Sequence, residues 1–365
     1  MTQLNLLIGT TALGESIYLD FFNSANSHAL LLGASGYGKS YAIQILLDGL
    51  AISSNRFLIL DIAGNLPASP RDSIFLQNIE KGLQIRNVIS DGCGINLFTP
   101  LCLDNGIIEN IPQMASRIVD SLRPILRNAN VQEAILYKYI KKMMISNLGP
   151  PSLERLCNML KYGYEIDDKL IAAKVADKLQ RILDGEYFKF SKGKHLLTDC
   201  NYEVLRLHSI PQNIQRVLCD IVLWNVWSDA VSSSTPAPTF IVIDEFQNVN
   251  MKPDSPLYKI LCEGRKFGLN LILATQTLKK KYDSSIENTI LQAGTKILFR
   301  PPEREARYIA EILSSDKKKI KLYEDWLSSL NRGTAIVKGN LIRTDGALIS
   351  GPKKVQFRSL TKRAC

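Results

Sequence analysis

Residues 30–41 read LLLGASGYGKSY, a glycine-rich stretch between an apolar run and a segment with helical spacing. Gly33, Gly38, Lys39 and Ser40 meet the pattern G-x-x-x-x-G-K-[ST]. A loop between a buried strand and a helix N-terminus directs backbone N–H groups at an anion, and the helix dipole adds to this attraction. The stretch therefore predicts a phosphate-binding loop; the alternative is a glycine-rich turn that matches by chance.

The phosphate-binding loop predicts a site for ATP and Mg²⁺. We expect Lys39 to reach the β- and γ-phosphates and the Ser40 hydroxyl to ligate Mg²⁺. Gly36 adds a third glycine, which lets the backbone adopt a positive φ and approach the phosphates. The residues predicted to contact the nucleotide are Gly33, Ala34, Ser35, Gly36, Tyr37, Gly38, Lys39, Ser40 and Tyr41.

The composition is that of a soluble globular protein, with 45% hydrophobic and 22% charged residues among 365. No apolar run is long enough for a transmembrane helix, and the first residues lack the pattern of a signal peptide. Seven cysteines without a C-x-x-C pair, together with three histidines, argue against a zinc site or a disulfide framework. We therefore expect a cytoplasmic protein with reduced thiols and no membrane span.

The net charge of +10 is concentrated in a few segments. Residues 332–365 contain eight Lys or Arg and one acid, Asp345, and lysine triplets occur at 279–281 and 317–319. Such clusters suit a polyanion such as DNA, although any one of them could be a solvated basic face. Because no base-reading motif is present, we expect contacts to the nucleic-acid backbone that do not depend on sequence.

Two apolar runs that end in acids predict buried parallel strands. Residues 56–61 end in Asp61, which is placed near the nucleotide or caps a helix. Residues 239–244 are followed by Glu245 and form a Walker B pattern. Here Asp244 would hold Mg²⁺, and Glu245 would orient or deprotonate the attacking water.

Two later runs predict further strands of the same sheet. The run at 269–276 ends in Thr275 and Gln276, and a neutral polar group there could sense the γ-phosphate or be satisfied by neighbouring backbone. The run at 295–300 ends in Arg300. Together with the apolar run before the glycine-rich stretch, these four runs predict an α/β fold, a RecA-like P-loop NTPase core with a mostly parallel sheet.

A long segment separates the Walker A and Walker B motifs, although both must contact one phosphate group. Helical apolar spacing recurs there at 131–144, 170–183 and 214–231. We therefore predict a helical domain inserted into the core. The predicted parts are a first core part with Walker A at 1–104, the inserted helical domain at 105–231, and a second core part with Walker B and a basic C-terminal tail at 232–365.

Six stretches follow one another along the chain at 28–40, 91–98, 243–248, 263–268, 274–276 and 330–339. Among them, Gly-Arg-Lys-Phe-Gly at 264–268 followed by Ala-Thr-Gln at 274–276 is more specific than the Walker motifs. On these stretches the chain resembles the HerA–FtsK superfamily of DNA-pumping ATPases, and it is similar to HerA and to the conjugative ATPases of type IV secretion. The stretch at 330–339 resembles the closing strand of the HerA core.

The resemblance implies a homohexameric ring with ATP between subunits and double-stranded DNA in the central pore. It also implies an arginine that reaches the neighbouring subunit's γ-phosphate, with Arg265 as first candidate and Arg300 as second; the alternative is a surface arginine or an intrachain ion pair. Few residues precede the first apolar run, so we expect the motor domain nearly alone. Such a motor would depend on a protein partner, such as a nuclease or the transfer machinery.

The leading functional hypothesis is an ATP-driven motor that translocates double-stranded DNA, in end resection, conjugation or antiviral defence. One alternative is an NTP-dependent ring scaffold or switch that assembles an effector without processive movement. Another is a motor that acts on protein. The Asp244–Glu245 pair predicts hydrolysis in all three, and the basic segment at 332–365 favours DNA over protein.

Overall fold

The computed structural model describes residues 5–21, 24, 26–52, 55–66, 73–104, 106–126, 130–146, 148–163, 168–189, 201–233, 238–278 and 282–361. The strands in this part of the chain are β1 (Asn5–Thr10), β2 (Ser16–Asp20), β3 (Ala29–Leu32), β4 (Arg56–Asp61), β5 (Leu83–Asn87), β6 (Cys102–Asp104), β7 (Ile107–Ile108), β8 (Tyr202–Arg206), β9 (Thr239–Asp244), β10 (Leu269–Thr275), β11 (Thr295–Leu298), β12 (Thr334–Lys338), β13 (Leu341–Ile342), β14 (Leu348–Ile349) and β15 (Lys353–Phe357).

The helices within the same ranges surround the strands. They are α1 (Lys39–Ile52), α2 (Ser73–Ile79), α3 (Val88–Asp91), α4 (Ile111–Leu126), α5 (Asn130–Ile145), α6 (Leu153–Tyr162), α7 (Lys169–Asp184), α8 (Gln212–Ser232), α9 (Pro256–Glu263), α10 (Ser284–Leu291), α11 (Ala306–Leu313) and α12 (Lys317–Ser328). No helix in the described ranges has the length and apolar character needed to cross a bilayer.

Thirteen of the described strands form one mixed sheet in the order β14-β13-β2-β1-β15-β12-β11-β3-β10-β9-β4-β8-β5. The seven strands from β11 to β5 pair in parallel. The other six continue the sheet in antiparallel pairs. The predicted parallel sheet is thus confirmed for the central strands, while the antiparallel half was not predicted.

Side chains from the two faces of the sheet form two buried clusters. One packs the sheet against α1 and α2, and the other packs it against α4–α9. All four residues of β3 and all six of β9 are buried, as expected for parallel strands covered on both faces. The strands that carry the Walker motifs are therefore fixed rigidly at the centre of the molecule.

The segment at 105–231 contains the three predicted helices, which are α5, α7 and α8, but it is not helical throughout. β8 (Tyr202–Arg206) lies in the large sheet between β4 and β5. Glu203 interrupts its apolar pattern, and this side chain is fully buried against Arg86 of β5 at 2.9 Å. Because of this buried ion pair, the sequence of β8 does not read as an apolar run, and the strand was not predicted.

The prediction of a basic C-terminal tail is wrong for the described residues, because they fold into β12–β15. β15 pairs with both β1 and β12 inside the sheet. Several of the basic side chains are engaged within the chain: Lys354 lies 4.8 Å from the ring centroid of Trp326, and Arg358 bonds Asp48 at 2.7 Å. Lys362 and Arg363 lie outside the described residues, as does the triplet at 279–281.

Candidate nucleotide-binding and hydrolysis site

The phosphate-binding loop, residues 33–38, connects β3 to the N-terminus of α1. Gly33, Gly36 and Gly38 have positive φ angles of 153°, 81° and 116°. A Cβ on Gly33 would also lie 2.6 Å from the Cβ of Phe299. The loop therefore needs glycine both for its backbone angles and, at Gly33, for close packing on the neighbouring strand.

Two backbone hydrogen bonds hold the loop against the segments that border β11 and β12. The Ala34 N–H donates to the Arg300 carbonyl at 2.8 Å, and the Gly333 N–H donates to the Tyr37 carbonyl at 3.0 Å. The backbone of the loop is thus held in place on the β11 side of β3. Since the Ala34 N–H is used within the chain, it is not free to bind phosphate.

The other predicted nucleotide contacts occupy different surroundings. Ser35 and Gly36 are exposed at the tip of the loop, where a phosphate can approach them. Tyr41, in the first turn of α1, accepts a hydrogen bond from the Leu360 N–H at 2.8 Å. Its hydroxyl therefore fastens α1 to the segment that follows β15.

Lys39 lies folded back across the loop. Its Nζ donates to the carbonyl of Gly33 at 2.7 Å and to that of Ala34 at 3.2 Å, and the residue is only 6% exposed. Burial lowers the pKa of Lys39, whereas the nearby carboxylates of Glu245 and Asp244 raise it. The ammonium group is therefore held where phosphate oxygens could replace the carbonyls as acceptors.

Asp244 meets the loop at the end of β9. Its Oδ2 accepts hydrogen bonds from Ser40 Oγ and from Asn65 Nδ2, both at 3.3 Å. Its Oδ1 is buried and has no hydrogen-bond partner among the described residues. Burial, and then the charge of Glu245, raises the pKa of Asp244. A buried carboxylate oxygen without a donor, next to a serine hydroxyl, fits Mg²⁺, which prefers oxygen ligands.

Glu245 follows Asp244 in the left-handed conformation, with φ 59° and ψ 47°. This conformation costs a non-glycine residue about 1–3 kcal/mol, and such residues cluster at functional sites. Its Oε1 accepts a hydrogen bond from Gln276 Nε2 at 2.7 Å, and its Oε2 accepts one from Gln247 Nε2. The strained turn thus brings the carboxylate to the end of β10, beside the predicted sensor residue.

The two candidate arginines lie at opposite ends of the parallel strands, Arg265 before β10 and Arg300 after β11. The Arg300 guanidinium lies 5.7 Å from the ring centroid of Tyr37, beside the loop of its own chain. Arg265 is exposed in the 3₁₀ turn that precedes β10. The strand rise of roughly 3.3 Å per residue places it about 20 Å from Thr275. The Arg265 side chain therefore does not reach the nucleotide site of its own chain, and a contact with the nucleotide of another copy stays a prediction.

The chain is similar to known proteins in both sequence and fold. The model of the family described as "Helicase HerA, central domain" matches residues 6–223. The chain belongs to the HerA family of P-loop ATPases. Over 358 residues it is 24% identical to the DNA double-strand break repair helicase HerA of Sulfurisphaera tokodaii. That alignment covers 92% of this chain and 68% of the relative, so the chain spans about two thirds of the relative's length.

Solved structures share the fold of this HerA-family chain. VirB4 of Thermoanaerobacter pseudethanolicus superposes with a TM-score of 0.73 at 17% identity, covering 97% of this chain and 96% of the other. The plasmid coupling protein TrwB in complex with ADP and Mg²⁺ superposes with a TM-score of 0.60 at 16% identity, covering 92% and 87%. The predicted P-loop NTPase core is confirmed as a fold.

The candidate site contains two side chains that the sequence did not predict. Asn65 reaches Asp244 because Asp61 Oδ1 accepts the Asn65 N–H at 3.0 Å and so shapes the turn after β4. Gln247 reaches Glu245, and its Oε1 accepts from the Thr275 hydroxyl at 2.5 Å. The available signal was their position, within four residues after a strand that ends in an acid.

Proposed function

We propose that the protein is an ATP-driven motor that translocates double-stranded DNA. The single observation that carries this proposal is the convergence of the glycine loop, Lys39, Asp244 and Glu245 at one edge of the sheet. Lys39 bonds the loop, Ser40 bonds Asp244, and the carboxylates of Asp244 and Glu245 lie close enough to Lys39 to act on its charge, so four elements of a phosphoryl-transfer site lie together.

Each side chain in the proposed site has a separate task. Lys39 would hold the β- and γ-phosphates, while Ser40 and Asp244 would hold Mg²⁺, which supplies charge neutralisation on the phosphate oxygens when bound. Glu245 would accept a proton from the attacking water, and Gln276 would keep the carboxylate in position. A solved neighbour of the same fold, TrwB, holds ADP and Mg²⁺, which supports the choice of ligand.

DNA is the proposed substrate because the relative from S. tokodaii is named a DNA double-strand break repair helicase. The positive net charge supports a polyanionic partner. Lys317, Lys318 and Lys319 add a local reason, since all three are exposed in the first turn of α12. Cations at a helix N-terminus oppose the helix dipole, so their position favours an external anion.

A homohexameric ring is the proposed assembly. The distance of Arg265 from its own nucleotide site supports it, since this arginine could act only on a neighbour. A nuclease or a transfer apparatus is the proposed protein partner, on the resemblance to HerA and conjugative ATPases. We further propose that the motor works in the cytoplasm.

The test is the ATPase rate with and without long duplex DNA, with Lys39→Ala as the background control. We expect duplex DNA to stimulate the wild-type rate and to leave the control at background. A wild-type rate that no duplex changes would contradict the motor and would favour a ring scaffold that hydrolyses ATP without translocation.

A further inference from the structure

A polar cleft of about 400 Å³ opens beside the loop that follows Glu245. Its walls come from α4, the first turns of α8, residues 247–255 and Tyr282. Among the described lining residues, none belongs to the phosphate-binding loop at 33–38. The cleft is therefore separate from the proposed nucleotide site, although Gln247 borders both.

Two hydrogen-bond donors in the cleft are available to a ligand. Arg216 Nε donates to the Asn248 carbonyl at 3.0 Å, and no carboxylate in the described ranges forms an ion pair with this guanidinium. The Tyr282 hydroxyl is buried and has no hydrogen-bond partner within those ranges. Its ring is stacked on Phe246, with centroids 6.1 Å apart. A buried donor without an acceptor calls for one, and beside an arginine that acceptor is an anionic oxygen.

The other charges of the cleft do not cancel this preference. Asp120 and Arg123 form an ion pair with each other at 2.7 Å. Lys252 and Asp254 are exposed at the rim, where opposite charges are screened by solvent. Asp220 of α8 lies against the inner wall, where its Oδ2 accepts a hydrogen bond from Asn250, but burial raises the pKa of this carboxyl to about 7 and so reduces its negative charge at neutral pH. Arg216 is therefore the main charge of the inner wall.

Hydrogen bonds connect the cleft to the proposed general base. Gln247 holds Glu245 through its Nε2, and its own Oε1 is held by the Thr275 hydroxyl at 2.5 Å. The next residue, Asn248, is the one that Arg216 holds through its backbone carbonyl. An Arg216 side chain that turned toward a ligand would release this carbonyl and so remove one of the contacts that hold the loop carrying Gln247, beside those of Gln212 with Asn248 and of Asp220 with Asn250.

We propose that the cleft binds a phosphodiester group of nucleic acid through Arg216 and Tyr282, and that this binding withdraws Gln247 from Glu245. Gln276 and Gln247 each donate a hydrogen bond to one oxygen of the Glu245 carboxylate, so withdrawal of Gln247 leaves Oε2 open to the attacking water. Gln247 is then a positioning residue that restrains hydrolysis until DNA is present. The inference rests on the proposed DNA motor and adds the place where DNA contact controls the rate.

The first experiment removes the restraint. Gln247→Leu should raise the ATPase rate without DNA about fivefold, the equivalent of one hydrogen bond, and should bring stimulation by DNA close to none. The rise should appear in kcat with the KM for ATP unchanged, because Gln247 contacts the Glu245 carboxylate and the Thr275 hydroxyl rather than the loop at 33–38. Thr275→Val, which removes only the hydroxyl that holds Gln247, should change the rate in the same direction.

The second experiment removes the phosphate contact. Arg216→Gln should raise the duplex concentration needed for half-maximal stimulation about tenfold. Arg307→Gln is the matched control, because Arg307 is an exposed arginine of α11 that pairs with Glu311; it should leave this concentration unchanged. Inorganic phosphate at the same concentration of phosphate groups should not replace the duplex.

The outcomes separate this inference from the proposed function. If DNA stimulates the wild type and also stimulates the Gln247 and Arg216 variants normally, the cleft inference is overturned and the motor stands. If Gln247→Leu lowers the rate without DNA, the restraint is likewise overturned. A wild type that no duplex stimulates overturns both. Stimulation by inorganic phosphate overturns the assignment to nucleic acid.

Discussion

Glu245 and Lys39 contact different parts of the proposed site, so their substitutions should fail in different ways. Glu245→Gln keeps the size of the side chain but removes the proton acceptor, and we expect ATP to stay bound while turnover falls about 10²–10⁴-fold. Lys39→Ala removes the cation from the loop, and we expect weaker nucleotide binding. Fluorescent-nucleotide titration and steady-state hydrolysis measure the two effects. Wild-type hydrolysis by Glu245→Gln would contradict its role as general base.

Arg265 can be tested by mixing subunits. If it contacts the nucleotide of a neighbour, each site needs Lys39 from one subunit and Arg265 from the next. Arg265→Ala alone and Lys39→Ala alone should both be inactive, whereas a mixture of the two variants should regain hydrolysis, because some sites then receive Lys39 from one subunit and Arg265 from the other. No recovery on mixing would contradict the trans role, and Arg300→Ala, beside its own loop, is the comparison.

At the level of a helix, Asp220 of α8 gives a pH dependence to stability. Burial raises its pKa from 3.8 to about 7, with the neighbouring Asp120 adding to the rise, while the Asn250 hydrogen bond and Arg216 lower it. Between these values the folded protein holds more protons at this site than the unfolded chain. Stability should therefore decrease as pH rises through this window, by up to about 1.4 kcal/mol per pH unit.

Asp220→Asn tests this dependence, because the amide is neutral at every pH and can still accept from Asn250. Urea unfolding at pH 5 and pH 8 should show a smaller difference for the variant than for the wild type. If the free energy of unfolding changes equally between pH 5 and pH 8 in both proteins, other groups cause the pH dependence.

The elements that sequence reasoning identified share one property. β3, β4, β9 and β10 are nearly continuous apolar runs, as is typical of buried parallel strands, and the last three of them end in polar residues. β8 was missed because its central Glu203 is neutralised by Arg86, which lies more than a hundred residues earlier. The antiparallel strands are short, and the pairing of β1 with β15 joins distant segments that local sequence does not connect.

The residues of the candidate site likewise divide into those that a local sequence pattern predicts and those that it does not. The glycine loop, Lys39, Asp244 and Glu245 belong to local motifs and were identified from spacing. Gln247 was not, because its contact with Glu245 depends on the left-handed turn that Glu245 adopts. A local pattern does not reveal a backbone angle that the surrounding structure imposes.

For the whole molecule, charge placement predicts how DNA binding responds to salt. If α12 faces the DNA, substituting Lys317, Lys318 and Lys319 together should flatten the slope of log affinity against log salt by about 0.9 for each lost phosphate contact. The control is Lys321→Ala on the same helix, since its Nζ already lies 3.2 Å from Asp325. The measurement is a salt titration of binding to two unrelated duplexes. An unchanged slope would show that these three lysines contact solvent and not DNA.

The position of β15 between β1 and β12 determines when the molecule can fold. The strands that flank β15 cannot join until residues 353–357 have been synthesised, although β1 comes from the first residues described. Pairings between such distant segments form late, because the intervening chain must first be brought together at a cost in entropy. During synthesis, the edge of β1 that later pairs with β15 would therefore stay unpaired while the parallel strands fold, and an unpaired strand edge is prone to aggregation. This half of the sheet is where the nascent protein most depends on chaperones.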